Sequence, residues 1–112
     1  MNTELIKIAY KIKNNDLYGY DLNLPCQYLM EYVTYALTKS RGNVIVITTR
    51  RIDTFMRRVK KRKLPYGVRC NVGRLLRVLS KYGFVEKHLG VYVLPRDRAW
   101  SFILLLRYLQ YL

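Results

Sequence analysis

The chain has 112 residues, 51% of them hydrophobic, and carries 21 Lys and Arg against 7 Asp and Glu, a formal net charge of +14. That length suits one domain with its own core, and that charge exceeds what solubility needs, so it points to an anionic partner: nucleic acid, or less often an acidic membrane surface. Two cysteines and one histidine, in no CxxC or HxxxH spacing, are too few for a zinc site. The scattered acids offer no acid–base or metal-binding pair, and there is no Ser/His/Asp grouping or phosphate-binding glycine loop, so neither an enzyme nor a cofactor is expected.

Along the chain, Leu5, Ile8, Ala9 and Ile12 fit one face of a helix, although Ile6, Ile8, Tyr10 and Ile12 also alternate as in a strand. The helix is the expectation taken, ending at Asn14-Asn15-Asp16, with a loop over 14–24. Pro25 suits the first position of a second helix, in which Leu29, Tyr32, Val33, Ala36 and Leu37 keep 3-4 spacing up to a Gly42 cap. Asn43 to Ile47 is a β-branched run and reads as a strand.

Thr48 or Thr49 caps a third helix with Ile52, Phe55, Met56 and Val59 on one face and cations on the other, and the spacing carries it through Lys63. Leu64-Pro65-Tyr66-Gly67 makes a turn. A fourth helix points Val72, Leu75, Leu76, Leu79 and Tyr82 inward and ends at Gly83. Phe84-Val85 begins a strand, Gly90 turns it, and Val91 to Leu94 returns as its partner, closed by Pro95. Asp97 caps a last helix that runs to about Tyr111.

The charge is concentrated. Residues 50–87 hold thirteen Lys and Arg against Asp53 and Glu86, while residues 1–49 hold five against four acids. Arg57 to Lys63 alone packs six cations into seven residues, at the end of an amphipathic helix where they also suit the helix dipole. Most of the eleven tyrosines, among them Tyr10, Tyr32, Tyr82, Tyr92 and Tyr108, fall at core-periodic positions and so read as core rather than as a base-stacking platform. Cys26 and Cys70 read as two free thiols of a cytosolic protein; a Cys26–Cys70 disulfide is the alternative and would fit a hyperthermophile.

The order helix, strand, helix, turn, helix, hairpin resembles the winged helix-turn-helix superfamily. The most specific piece is Cys70-Asn71-Val72-Gly73-Arg74-Leu75-Leu76-Arg77-Val78-Leu79-Ser80-Lys81-Tyr82-Gly83-Phe84-Val85, followed by Tyr92-Val93-Leu94. It looks like the recognition-helix-to-wing passage of small bacterial and archaeal regulators. The resemblance covers roughly residues 25–95. It implies an α+β, mostly α fold: a winged-helix domain over 25–96, preceded by an extension (1–24) and followed by a C-terminal helix (97–112).

The resemblance further implies a sequence-specific protein of double-stranded DNA that regulates transcription. Its recognition helix, about 69–83, would set Arg69, Asn71 and Arg74 on base edges in the major groove and Arg77 at the groove edge. Lys87 and His88 become wing residues. Arg50, Arg51, Arg57, Arg58, Lys60, Lys61, Arg62, Lys63 and Lys81 become phosphate contacts. Three departures stand out: the turn before the recognition helix is long and basic, Gly73 costs about 1 kcal/mol of helix propensity on a groove-facing surface, and the wing is short. An RNA-binding or ribosome-associated protein, and a non-specific chromatin-like protein, are the alternatives.

The last helix has apolar residues on two sides: Trp100, Ile103, Leu104 and Tyr111, then Leu105, Tyr108, Leu109 and Leu112. A surface helix needs one such stripe, so a homodimer interface through Trp100, Leu104, Leu105, Tyr108 and Leu112 is expected. A helix wedged into its own domain is the alternative. The run Trp100 to Leu106 is broken by Arg107 and too short to span a bilayer, and the N-terminal region has acids and lysines where a signal peptide needs an apolar core. A cytoplasmic, nucleoid-associated protein is expected, without a membrane partner or a small-molecule effector. The Lys/Arg/Tyr/Ile-rich composition resembles archaeal and archaeal-virus proteins, which would put a viral chain in its host's cytoplasm.

Overall fold

The computed structural model describes residues 2–112. Five α-helices and one small sheet follow in the order α1 (Thr3–Lys11), α2 (Asn23–Lys39), β1 (Val44–Ile47), α3 (Thr49–Arg58), α4 (Tyr66–Lys81), β2 (Glu86–His88), β3 (Val91–Pro95) and α5 (Ala99–Tyr111). The strands run antiparallel in the order β1-β3-β2, with Ile45 opposite Leu94, Ile47 opposite Tyr92, and Lys87 opposite Tyr92 from the other side. The fold is α+β and mostly helical.

Helical periodicity wins at the N-terminus. Leu5, Ala9 and Ile12 are buried, whereas Tyr10, inward in the strand reading, is half exposed. Asn2 caps α1 by accepting the Leu5 N–H at 3.2 Å. The helix does not give way to a loop at Asn14, as expected, but continues as a π-helical turn over Ile12–Asp16. α2 begins at Asn23, two residues before the expected Pro25, which sits in the first turn where its missing N–H would have no partner anyway.

Thr48 caps α3, its Oγ1 accepting the Arg51 N–H at 3.0 Å. The helix does not run on through Lys63. It ends at Arg58; Lys61 takes a left-handed backbone, φ 57°, and the Arg62 N–H bonds back to Met56 O. Six cations in seven residues repel one another along a continued helix, and Pro65 pushes the residue before it out of the α region. The basic run is therefore mostly loop, anchored by buried Leu64.

α4 correspondingly starts at Tyr66, so Tyr66 and Gly67 belong to the helix rather than to the turn. It closes with the Gly83 N–H on Ser80 O and the Phe84 N–H on Leu79 O, Gly83 having φ 82°. That closure consumes residues 82–85, so β2 begins at Glu86 and not at Phe84. Asp97 does not cap α5: a 3₁₀ turn over Arg96–Arg98 leads into the helix without a side-chain cap. Arg96 reaches instead to the far end of α2, donating to Leu37 O at 2.5 Å and Ser40 O at 2.7 Å. It satisfies carbonyls left over at that helix end and puts a cation at its negative pole.

One hydrophobic core joins Leu5 and Ile12 of α1, Leu29 and Val33 of α2, Ile45, Ile47 and Leu94 of the sheet, Ile52 and Met56 of α3, Leu75 and Leu79 of α4, and Phe102, Leu105 and Leu106 of α5. The N-terminal segment and the C-terminal helix are thus part of the same packing as the middle of the chain. α5 lies against both α1 and α2, which buries its Phe102–Leu109 side and leaves Trp100, Leu104 and Tyr111 outside.

Candidate nucleic-acid interface

Burying Val72, Leu75, Leu76 and Leu79 forces the opposite side of α4 outward. At 100° per residue that side carries Cys70, Gly73, Arg74, Arg77 and Lys81. It borders a groove of about 420 Å³ whose other walls are Thr48 and Thr49 at the start of α3 and Gly90 and Tyr92 of the hairpin. The positive end of α3 therefore opens beside Arg74 and Arg77, and no acidic residue lines the groove.

Among the base-reading candidates, Arg74 and Arg77 meet at this groove. Arg74 Nη1 donates to Asn71 Oδ1 at 2.8 Å, and its guanidinium lies 4.9 Å from the ring centre of Tyr20, in the loop between α1 and α2. A guanidinium held between an amide and an aromatic ring is pre-oriented. Asn71 is half-buried on that flank, with its side-chain oxygen taken up by Arg74. Arg69 and Asn71 stand about 160° apart around the helix, so the structure does not bring them to one line. Gly73 has open space around it: a Cβ there would meet nothing within 4 Å.

The phosphate-contact candidates fall in several places. Arg50, Arg51 and Arg58 rim a second groove of about 700 Å³ between α2, β1 and α3, floored by Tyr35 and Phe55. There the Tyr32 hydroxyl donates to Val46 O at 2.6 Å, and burial pushes its pKa up. Lys60 sits where α2 and α5 meet, while Lys61, Arg62 and Lys63 are exposed on the loop before α4. Arg57 is paired with Asp53 at 3.2 Å and Lys81 with Asp16 at 2.9 Å. In both pairs the cation is mostly exposed, 57% and 65%, while the carboxylate is largely covered, 16% and 15%.

In the hairpin, exposed Lys87 lies on the same side of the sheet as Tyr92, its ammonium 5.7 Å from that ring centre. His88 points to the other face, with Nε2 3.1 Å from Glu86 Oε2. At the tip, Leu89 is fully exposed, with φ 49°, next to Gly90 with φ 85°. The sequence reading passed over Leu89, Tyr20, Thr48, Thr49 and Tyr92 as site residues. Only the Thr48 cap carried a local signal; the rest depend on which elements pack together.

Of the interface candidates on α5, Trp100, Leu104 and Leu112 are exposed and Tyr108 is half-buried, whereas Leu105 is completely buried in the chain's own core. Both cysteines are free thiols; Cys26 lies in the core, where burial pushes its pKa up to about 12, and Cys70 sits on the groove wall. No helix among the described residues is long and apolar enough to cross a membrane. No protein-family model, no curated protein and no solved structure matches the chain.

Proposed function

We propose that the chain is a winged-helix protein that binds double-stranded DNA through α4 and regulates transcription as a homodimer, acting by occupancy and not by catalysis. The observation that carries this reading is the α4 groove: Arg74 and Arg77, the positive end of α3 and the hairpin border one acid-free channel, in a chain of net charge +14. The helix–strand–helix–helix–hairpin order from α2 to β3 agrees with it. Cations around the groove hold the backbone and fix the register, while Arg74 reads a guanine edge. The outward stripe Trp100–Leu104 supports a two-fold assembly, and two copies of α4 would then match two half-sites. The cytoplasm, at the nucleoid, is the compartment this reading calls for.

A second reading, a non-specific duplex or RNA binder, is favoured by one observation: Arg51, Arg58, Lys60 and Lys63 lie outside the α4 groove, wrapping charge around the molecule. Titration against random duplex, single-stranded DNA and structured RNA over a range of salt, followed by selection from a random duplex library, separates the two. Duplex preference with an enriched two-fold motif supports the regulator. A steep salt slope with no enriched motif, or preference for RNA, overturns it.

A further inference from the structure

Leu89 breaks a local rule without any gain in packing. It is the first of two residues in the β2–β3 turn, and both have positive φ, 49° and 85°. A two-residue turn of this kind favours Asn, Asp or Gly at both positions, because an L side chain in the left-handed region crowds its own backbone. A leucine pays that strain and is normally repaid by burial. Here its relative exposure is 105%, so its own chain buries none of it. Its surroundings are not apolar either: Lys87 and His88 precede it and Gly90 follows. A strained, unburied apolar side chain at the end of a short hairpin is a candidate for insertion into a partner.

The position of the hairpin narrows the partner. Gly90 and Tyr92 share a groove with Arg74 and Arg77, so the tip stands beside the outward face of α4 rather than on a separate side of the molecule. Whatever α4 grips, the tip meets its flank. We infer that Leu89 is a wedge that inserts between adjacent base pairs of duplex DNA, unstacking one step, while Lys87 holds the neighbouring phosphate. The inference rests on the duplex-binding reading above and extends it: the hairpin bends the DNA as well as touching it. Apolar wedges of this size open steps at the minor groove and kink the helix. Pyrimidine–purine steps such as TpA unstack most readily, so the wedge adds a preference at a position no hydrogen bond reads.

The test uses duplexes with 2-aminopurine at a TpA or an ApA step, in a series of offsets from the site selected in the library, and compares the natural chain with Leu89→Asn, Leu89→Met and Arg74→Ala. Asparagine accepts the left-handed backbone, so Leu89→Asn should raise Tm by about 2–5 °C while weakening duplex binding about tenfold and abolishing the fluorescence rise at the TpA step. Leu89→Met keeps the wedge and should keep the rise. Arg74→Ala should weaken binding yet leave the rise in whatever complex forms. If Leu89→Asn binds and unstacks like the natural chain while Arg74→Ala weakens binding, the wedge is overturned and the interface stands. If the natural chain binds no duplex, both fall. Leu89-dependent binding to anionic vesicles without any duplex unstacking would also overturn the wedge, giving the tip to a lipid surface.

Discussion

The phenol of Tyr82 donates a 2.6 Å hydrogen bond to Asp16 Oδ2, while Lys81 Nζ stands 2.9 Å from Oδ1 of the same carboxylate. This pins the end of α4 to the π-helical turn after α1 and so fixes the angle at which α4 presents its outer face. The Tyr82 hydrogen bond is the main cause that holds the Asp16 carboxyl below its usual pKa; burial opposes it and Lys81 adds to it. The Asp16 hydrogen bond in turn pushes Tyr82 up to about 12.

The signs of these shifts set a pH window. A depressed carboxylate contributes stability above its unfolded pKa, and that contribution is lost as pH falls from about 4 through the folded value. A raised phenol contributes fully below its unfolded value of about 10 and loses it as pH rises toward 12. Tyr82→Phe should therefore cost about 1–2 kcal/mol at neutral pH, and the gap to the natural chain should narrow as pH falls below about 4 and as it rises from about 10 toward 12. Urea melts across pH measure this directly; a gap independent of pH would mean the ring's packing, not its hydroxyl, holds α4.

Arg74→Ala should cost about 1–3 kcal/mol on a selected duplex and much less on random duplex. Tyr20→Leu leaves α4 untouched but removes the ring beside the guanidinium, and should cost about 0.5–1 kcal/mol on the same selected site. Replacing Lys60 and Lys61 together should instead weaken all duplexes evenly and flatten the salt slope by about 2. Fluorescence anisotropy over a salt series separates these patterns. Equal losses on selected and random duplex would remove Arg74 from base reading.

Gly73→Ala meets no steric obstacle in the free protein. In mid-helix it should stabilise the fold by about 1 kcal/mol. If bare backbone at that position lets α4 approach the bases closely, the same change should weaken duplex binding about tenfold, or 1.4 kcal/mol. A tighter fold with unchanged binding would leave Gly73 without a role at the interface.

Trp100→Glu combined with Leu104→Glu should give monomers by sedimentation velocity with little change in melting temperature, because both side chains are exposed. Leu105→Glu should behave differently. It buries an unpaired charge in the core and should unfold the chain at a cost above about 4 kcal/mol. A dimer that persists in the double variant moves the interface elsewhere.

Local pattern alone settled much of this architecture. The 3-4 spacing of Val72, Leu75, Leu76 and Leu79 determines which side of α4 faces the core, and hence which side carries Arg74 and Arg77. Thr48 announces α3 because its hydroxyl can accept the Arg51 N–H three residues on, and Gly90 announces the hairpin because its backbone must turn left-handed. These are interactions between residues a few positions apart, and composition at short range is enough to specify them.

Long-range packing decided the rest. Two apolar stripes on α5 were visible in the sequence, but the seat between α1 and α2 cuts across both, burying Ile103 of one and Leu105 and Leu109 of the other while leaving Trp100, Leu104 and Leu112 outside. The partners of Asp16 lie 65 and 66 residues away in Lys81 and Tyr82, and the aromatic neighbour of Arg74 comes from the α1–α2 loop. Arg96 caps a helix that ended 57 positions before it. A polar residue shows its chemistry in its type but not its partner, because the partner is chosen when apolar faces dock and carry their polar edges with them. The amphipathic face of α4 is thus written locally, while the groove in front of it exists only once the start of α3 and the hairpin have packed beside that face.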